Sequence, residues 1–309
     1  MDGVATSSIE LSVVICTRDR PELLRRAVAA VAAQTHPGVV ETIVVFDRSE
    51  PDRSLASDDP FRPVRVYANE RTPGLPGGRN TGVAHAGAPM VAFCDDDDVW
   101  FPDKASKQLA LLAVNPEAEV AVTGIRVHAD GQQTDRVWGG RTVQFGDLLA
   151  SRVMEAHPST VMVRRTAMLE GIGPVDEVIP GGYAEDYEWL LRAARRAPIV
   201  VLQEPLVRVD WHPKSFFTAQ WVTIADALAY LLAAYPEFAT DRGGCARIRG
   251  QRAFALAAVG RRREAWREIG RTVALSPREP RAHLAVLVAS GAVSADRVVR
   301  AVNRRGRGI

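Results

Sequence analysis

Four short runs in the first hundred residues are apolar and rich in β-branched side chains: LSVVIC (11–16), TIVVF (42–46), VRVYAN (64–69) and PMVAFC (89–94). A strand with one wet face alternates apolar and polar residues, whereas near-continuous runs need cover on both faces. Between the first two runs stands TRDRP, then LLRRAVAAVAAQ. There Leu24, Ala27, Val28 and Val31 recur at helical spacing, and Pro21 falls where a first helical turn tolerates proline. Strand alternating with helix predicts an α/β fold, a mostly parallel sheet flanked by helices. Ligands of such sheets bind outside the carboxyl ends of the strands. Thr17, Arg18 and Asp19 follow the first run, Asp47 the second and Asp95–Asp98 the fourth, so topology predicts that they meet in one crevice.

The fourth run ends in an unusual way: AFCDDDDVWFP places four aspartates between two apolar segments. An acidic run on a solvated face has no reason to begin and end in hydrophobic residues. Carboxylates this close repel one another unless a cation compensates them. Hard divalent ions take oxygen ligands and share one or two carboxylates with substrate phosphates, so a metal–diphosphate site answers the charge problem.

Further along, KASKQLALLAV and EDYEWLLRAARRA have helical periodicity, and EVAVTGIRVH and STVMVRR read as strands. A strand pair is expected around IVVLQEPLVRVDWH. Beyond about Phe216 every segment is helical, and AFALAAVGRRREAWREIGRTVALSP reads as one tetratricopeptide-type hairpin. A single such unit cannot bury its own face, so it is expected to pack on the rest of the chain or on a partner. The 309 residues carry a formal net charge of +2, which excludes polyanion binding by bulk electrostatics and with it nucleic acid as the expected partner. The charge is uneven: from Arg242 onward there are sixteen Arg against Glu264, Glu268, Glu279 and Asp296. The terminal RVVRAVNRRGRGI reads first as a solvated helix end and second as a peripheral contact with anionic lipid or a protein partner. Cys16, Cys94 and Cys245 form no disulfide or zinc pattern. No signal core or membrane-length apolar run is present, so the expected location is cytoplasmic.

SVVICTRDRPELLRRAVAAVAAQT, IVVFDRS, GGRNTGV, FCDDDDVWFPDK and AEDYEWLLR together resemble glycosyltransferase family 2, the inverting enzymes with the GT-A nucleotide-sugar fold. The blocks keep the family's order across residues 11–192, and the C-terminal helices lie outside the resemblance. It implies a GT-A domain over 9–215, with a nucleotide-binding half (9–103) and an acceptor half (104–215), followed by a helical region over 216–309.

It also implies roles. Thr17, Arg18 and Asp19 would lie beside the nucleotide base and ribose, Asp47 would accept from a uracil-type base, and Arg79 would stand near the diphosphate, where a guanidinium suits phosphate oxygens. Asp95 and Asp97 form the D-x-D. Asp97 is the expected ligand for Mn²⁺ or Mg²⁺, with Asp95 and Asp96 toward ribose or metal. Asp186 is the expected catalytic base and Glu185 its orienting partner; an acidic cap on the following helix is the plainer role for this pair. His212 is a candidate third metal ligand, and His157 a candidate on the acceptor side. The implied donor is a nucleotide sugar, UDP-linked by preference. The acceptor is a glycan, a lipid-linked or natural-product hydroxyl, or a protein, and a homo-oligomer is left open.

Two other classes fit parts of the chain. CDDDDV also satisfies the nucleophile motif of haloacid-dehalogenase-type phosphatases, with Asp95 attacking, but three strands precede it here and no later Thr and Lys motifs follow. A non-catalytic sugar-nucleotide-binding scaffold would have no use for both Asp97 and Asp186. A calcium loop fails for want of glycine at its sixth position, and a nucleotidyltransferase for want of the glycine-rich N-terminal signature.

Overall fold

A computed structural model describes residues 8–129, 131–211 and 220–303. The described residues form two compact units: those up to 145 with 153–177 and 185–211, and residues 146–152 and 178–184 with those from 220 onward.

The first unit is built on a mixed sheet. It opens with β1 (Ile9–Thr17), α1 (Pro21–Ala32), β2 (Val39–Phe46), β3 (Val64–Ala68), α2 (Leu75–His85) and β4 (Met90–Asp95). Next come β5 (Val99–Trp100), α3 (Lys104–Val114), β6 (Val120–Ala129), β7 (Gln132–Arg136) and β8 (Thr142–Val143). After α4 (Phe145–Ala150), which falls almost wholly in the second unit, come β9 (Met162–Arg164), α5 (Glu185–Arg196) and β10 (Ile199–Asp210). The strand order is β3-β2-β1-β4-β9-β6-β10-β5, with β7 on β6 and β8 on β10. The β3, β2, β1 and β4 strands are mutually parallel, and β9 enters antiparallel between β4 and β6.

The continuous apolar runs are buried as expected: Leu11, Val13, Ile15, Ile43, Val44 and Val91 are all 0% exposed. Leu24, Ala27 and Val31 turn the α1 stripe into the same core. The predicted pair over 199–212 is instead one twelve-residue strand, β10. Pro205 removes a ladder donor in its middle, and the register against β6 shifts on both sides of it, so the chain bulges rather than turning back.

The register fixes the expected crevice. Thr17 lies opposite Phe46, and Cys16 opposite Asp95, so Thr17, Asp47 and Asp95 end three adjacent strands at one level. The chain leaves β1 for β2 on one side and returns as β4 on the other. This is the topological switch point at which such sheets bind ligands.

The second unit contains α6 (Trp221–Ala234), α7 (Arg242–Ala258), α8 (Arg262–Leu275), α9 (Pro280–Ala289) and α10 (Ala295–Asn303). α7 and α8 form the expected hairpin, turning at Gly260 with φ +77°. Gly250 lets α9 approach α7 closely, since a Cβ there would already stand 3.1 Å from atoms of Glu279 and Arg281. Glu268 is 2% exposed and gathers Arg249, Arg252 and Arg271 at 2.7–2.9 Å. Among the described residues no helix is long and apolar enough to cross a membrane.

Candidate active site

α2 organises the site, although it has almost no apolar stripe. Its glycines let it sink onto the sheet: a Cβ on Gly82 would lie 2.3 Å from Val14 Cγ1, and one on Gly77 1.9 Å from the Thr72 carbonyl oxygen. Pro76 through Val83 are therefore all buried. At its start, Gly74 takes φ +118° and donates its N–H to Asp47 Oδ1 at 3.0 Å. Asn69 Nδ2 donates to the same oxygen at 2.8 Å, so Asp47 is held at the mouth of β2 and is 8% exposed.

Arg79 follows on α2 and is 4% exposed. Its Nη2 donates to Asp95 Oδ1 at 2.9 Å, and its Nη1 donates to Glu185 at the start of α5. Expected beside a diphosphate, it thus already joins the acidic run to the second carboxylate pair. Burial pushes Glu185 up to about 7, against the pull of the Arg79 charge. Asp186 lines a small open hollow together with Arg79, Phe93, Pro158, Trp189 and Leu190.

The four aspartates point in different directions. Asp96 accepts from Thr17 Oγ1 at 2.7 Å across the β1–β4 switch point, and from Arg20 Nη1 at 3.2 Å. Asp97 faces the same Arg20 nitrogen at 3.0 Å. Asp98 is 2% exposed, accepts from Ser159 Oγ and lies 3.3 Å from His157 Nδ1. Ser159 Oγ also accepts the Asp95 N–H at 2.9 Å, which orients both aspartates. Asp95, Asp98 and His157 each offer a ligand atom, and these lie within 4.8 Å of one another. The convergent group is therefore Asp95–Asp98–His157. Asp97, the expected ligand, is turned to Arg20, and His157, expected on the acceptor side, comes to the acidic run. His212 lies outside the described residues. Arg18 and Asp19 point outward, 3.7 Å apart, with Asp19 at φ +54°.

Electrostatics favours a cation at this group. Asp95–Asp98 and Glu185 are five carboxylates, and among the described residues the guanidinium groups paired with them are those of Arg20 and Arg79. Burial raises Asp96 to about 6 and raises Asp97; Asp98 is pushed well up by burial and then by Asp95. Two carboxylates and an imidazole form a donor set that could hold a divalent cation.

Several contributors carried no sequence signal of their own. Glu177 accepts from Arg71 Nε, from the Thr72 N–H at 3.2 Å and from Asn80 Nδ2 at 2.7 Å. Asn80 also exchanges two 2.8 Å hydrogen bonds with the Val175 backbone. The segment before α5 is thereby latched to α2. Arg20 was visible only as the second arginine of TRDRP, and Ser159 only as a neighbour of His157.

Comparison with known proteins finds glycosyltransferases. An uncharacterised glycosyltransferase of Nostoc is 27% identical over 188 residues, 55% of each chain. The glucosyltransferase WfgD of Escherichia coli, named for transfer from UDP-Glc to α-D-GlcNAc-diphosphoundecaprenol, is 23% identical over 34% of this chain and 42% of its own. The match thus spans about half the length of these relatives. Staphylococcus aureus TarS 1–349 in complex with UDP-GlcNAc superimposes with TM-score 0.63 at 18% identity, over 97% of this chain and 93% of that one. The mannosyltransferase PcManGT of Pyrobaculum calidifontis, in complex with GDP-Man and Mn²⁺, gives TM-score 0.55 at 19% identity over 92% and 79%. These likenesses establish the fold, and residues 12–170, slightly more than half of the chain, match the sequence profile of glycosyl transferase family 2; the chain belongs to that family.

Proposed function

We propose that the protein transfers a sugar from a nucleoside diphosphate donor, a UDP-sugar by preference, to an acceptor hydroxyl with inversion at the anomeric carbon. The observation that carries this reading is the single edge on which Asp47, the Asp95–Asp98–His157 group and the Arg79–Glu185 pair stand together. Asp47 Oδ1 is taken by Asn69 and Gly74, and among the described residues Oδ2 remains to accept from a base N–H. Asp95, Asp98 and His157 would hold Mn²⁺ or Mg²⁺, which supplies positive charge to the departing diphosphate. Asp186, in the hollow on the α5 side, takes the proton of the acceptor hydroxyl as its oxygen attacks the sugar from the face opposite the leaving group. Glu185, fixed by Arg79, keeps the start of α5 in place.

UDP-GlcNAc and UDP-Glc in the names of two similar proteins support a UDP donor, and Mn²⁺ with GDP-Man in a third supports metal use. The phosphatase reading is disfavoured because Asp95 is bonded through its carboxylate to Arg79 rather than presented as a free nucleophile. The test is a panel of nucleotide sugars with Mn²⁺ and a mixed acceptor preparation, read as nucleoside diphosphate release. Release from a single donor class is expected. No donor binding, together with phosphatase activity lost in Asp95→Asn, would overturn the proposal.

A further inference from the structure

In the second unit, α8 presents a face of a particular chemistry that is exposed among the described residues. It buries Ala265, Glu268, Ile269 and Thr272 and exposes Arg263, Trp266, Arg267, Gly270, Val273 and Ala274. At helical spacing Arg263, Arg267, Gly270 and Ala274 share one line, and Trp266 and Val273 stand together along its flank. Trp266 is 46% exposed, Val273 37% and, on α9, Leu287 43%. Arg262 Nη2 comes within 3.4 Å of where a Gly291 Cβ would stand, so the start of α8 and the end of α9 lie at one end of the helical layer. Trp266 and Leu287 are each one turn in from that end.

Several arginines of this face have no ion pair, although Arg267 acts at longer range on Glu264. Arg261, Arg271 and Arg281 have acidic partners at 2.6–2.8 Å. Among the described residues no carboxylate comes within ion-pair distance of Arg262, Arg263, Arg267 or Arg278, all four of them exposed. An exposed tryptophan and valine on α8, with an exposed leucine on α9, accompany arginines that have no ion pair, a mixed apolar and basic character that marks interaction surfaces.

We propose that this face of α8 and α9 rests on an anionic membrane surface. Trp266, Val273 and Leu287 would enter the headgroup boundary, and Arg262, Arg263 and Arg267 would meet lipid phosphates. Tryptophan and arginine both suit such a boundary, each with an apolar body and a polar end. A nucleic acid would take up the arginines but leave Val273 and Leu287 in water. No described helix spans a bilayer, so attachment lies in the plane of the interface.

The test uses the full chain with vesicles of phosphatidylcholine alone and vesicles containing phosphatidylglycerol, read by co-sedimentation at low and high salt. Binding to the anionic vesicles, weakened by salt, is expected. Arg263→Gln with Arg267→Gln should weaken it about thirtyfold, about fivefold per charge. The basic C-terminal end is untouched in that variant, so the two sources of positive charge are separated. Brominated lipid should quench tryptophan emission in the wild type, with a component missing in Trp266→Phe. All the substitutions are at exposed positions, and unchanged thermal unfolding checks the fold. No binding, equal binding to both vesicles, or a double variant that binds like the wild type overturns the proposal. None of these readouts depends on sugar transfer.

Discussion

Arg79 is the residue on which the charge balance of the site turns, because one buried guanidinium serves both Asp95 and Glu185. With Arg20 taken by Asp96 and Asp97, Asp98 is left to Ser159 and His157. That division predicts unequal effects along the run. Asp98→Asn and His157→Ala should each weaken Mn²⁺ binding at least about tenfold, and Asp97→Asn should weaken it less. Calorimetric titration of the three variants checks this, and equal losses would return Asp97 to the ligand set. The place of the run was legible in the sequence because an apolar strand led into it. Which carboxylates converge with His157 was not, because their directions are set by Arg20 and Ser159, 76 and 61 positions away from their partners. No local pattern carries that information.

At the scale of elements, α2 and its latch join Asp47 at the end of β2 to the acidic run and to α5. Gly77→Ala would push a methyl against the Thr72 carbonyl, with an expected loss of about 1–3 kcal/mol in urea denaturation. Gly270 on α8 is the opposite case: a Cβ there meets nothing within 4 Å, and Gly270→Ala should stabilise the helix by about 0.5–1 kcal/mol. The Glu177 latch adds a pH dependence. Burial works against its ionisation, yet donation by Thr72, Asn80 and Arg71 outweighs this and holds the carboxyl down at about 2. The unfolded chain takes up a proton near the ordinary glutamate pKa, whereas the folded chain resists until about pH 2. The latch's stabilisation is therefore complete above the ordinary value and is lost as pH falls toward 2. Glu177→Gln should be less stable than the wild type at pH 6, with the difference shrinking as the pH falls toward 3; a constant difference would count against the ionised latch. Sequence periodicity found α1, α3, α5 and the four parallel strands because each buries its own apolar residues. It split β10 in two because Pro205 reads as a breaker and acts here as a bulge.

At the scale of the molecule, the sequence separated a strand-and-helix region from a helical one, and the structure forms two compact units. The short segments 146–152 and 178–184 join the helical unit although they are embedded in the first region's sequence. Such exchanges are invisible to periodicity, since they depend on approaches such as Gly244 against the Leu149 carbonyl, where a Cβ would stand at 1.8 Å. Family membership rests on residues 12–170, and Asp186 stands beyond them in the hollow of α5. The proposed chemistry therefore depends most on that carboxylate. Asp186→Asn, compared with the wild type using the donor that the panel identifies, is the most direct test. Donor affinity should stay within about threefold of the wild type, and sugar transfer should fall at least about a hundredfold, as loss of a general base does. Transfer at a rate comparable to the wild type would contradict the account.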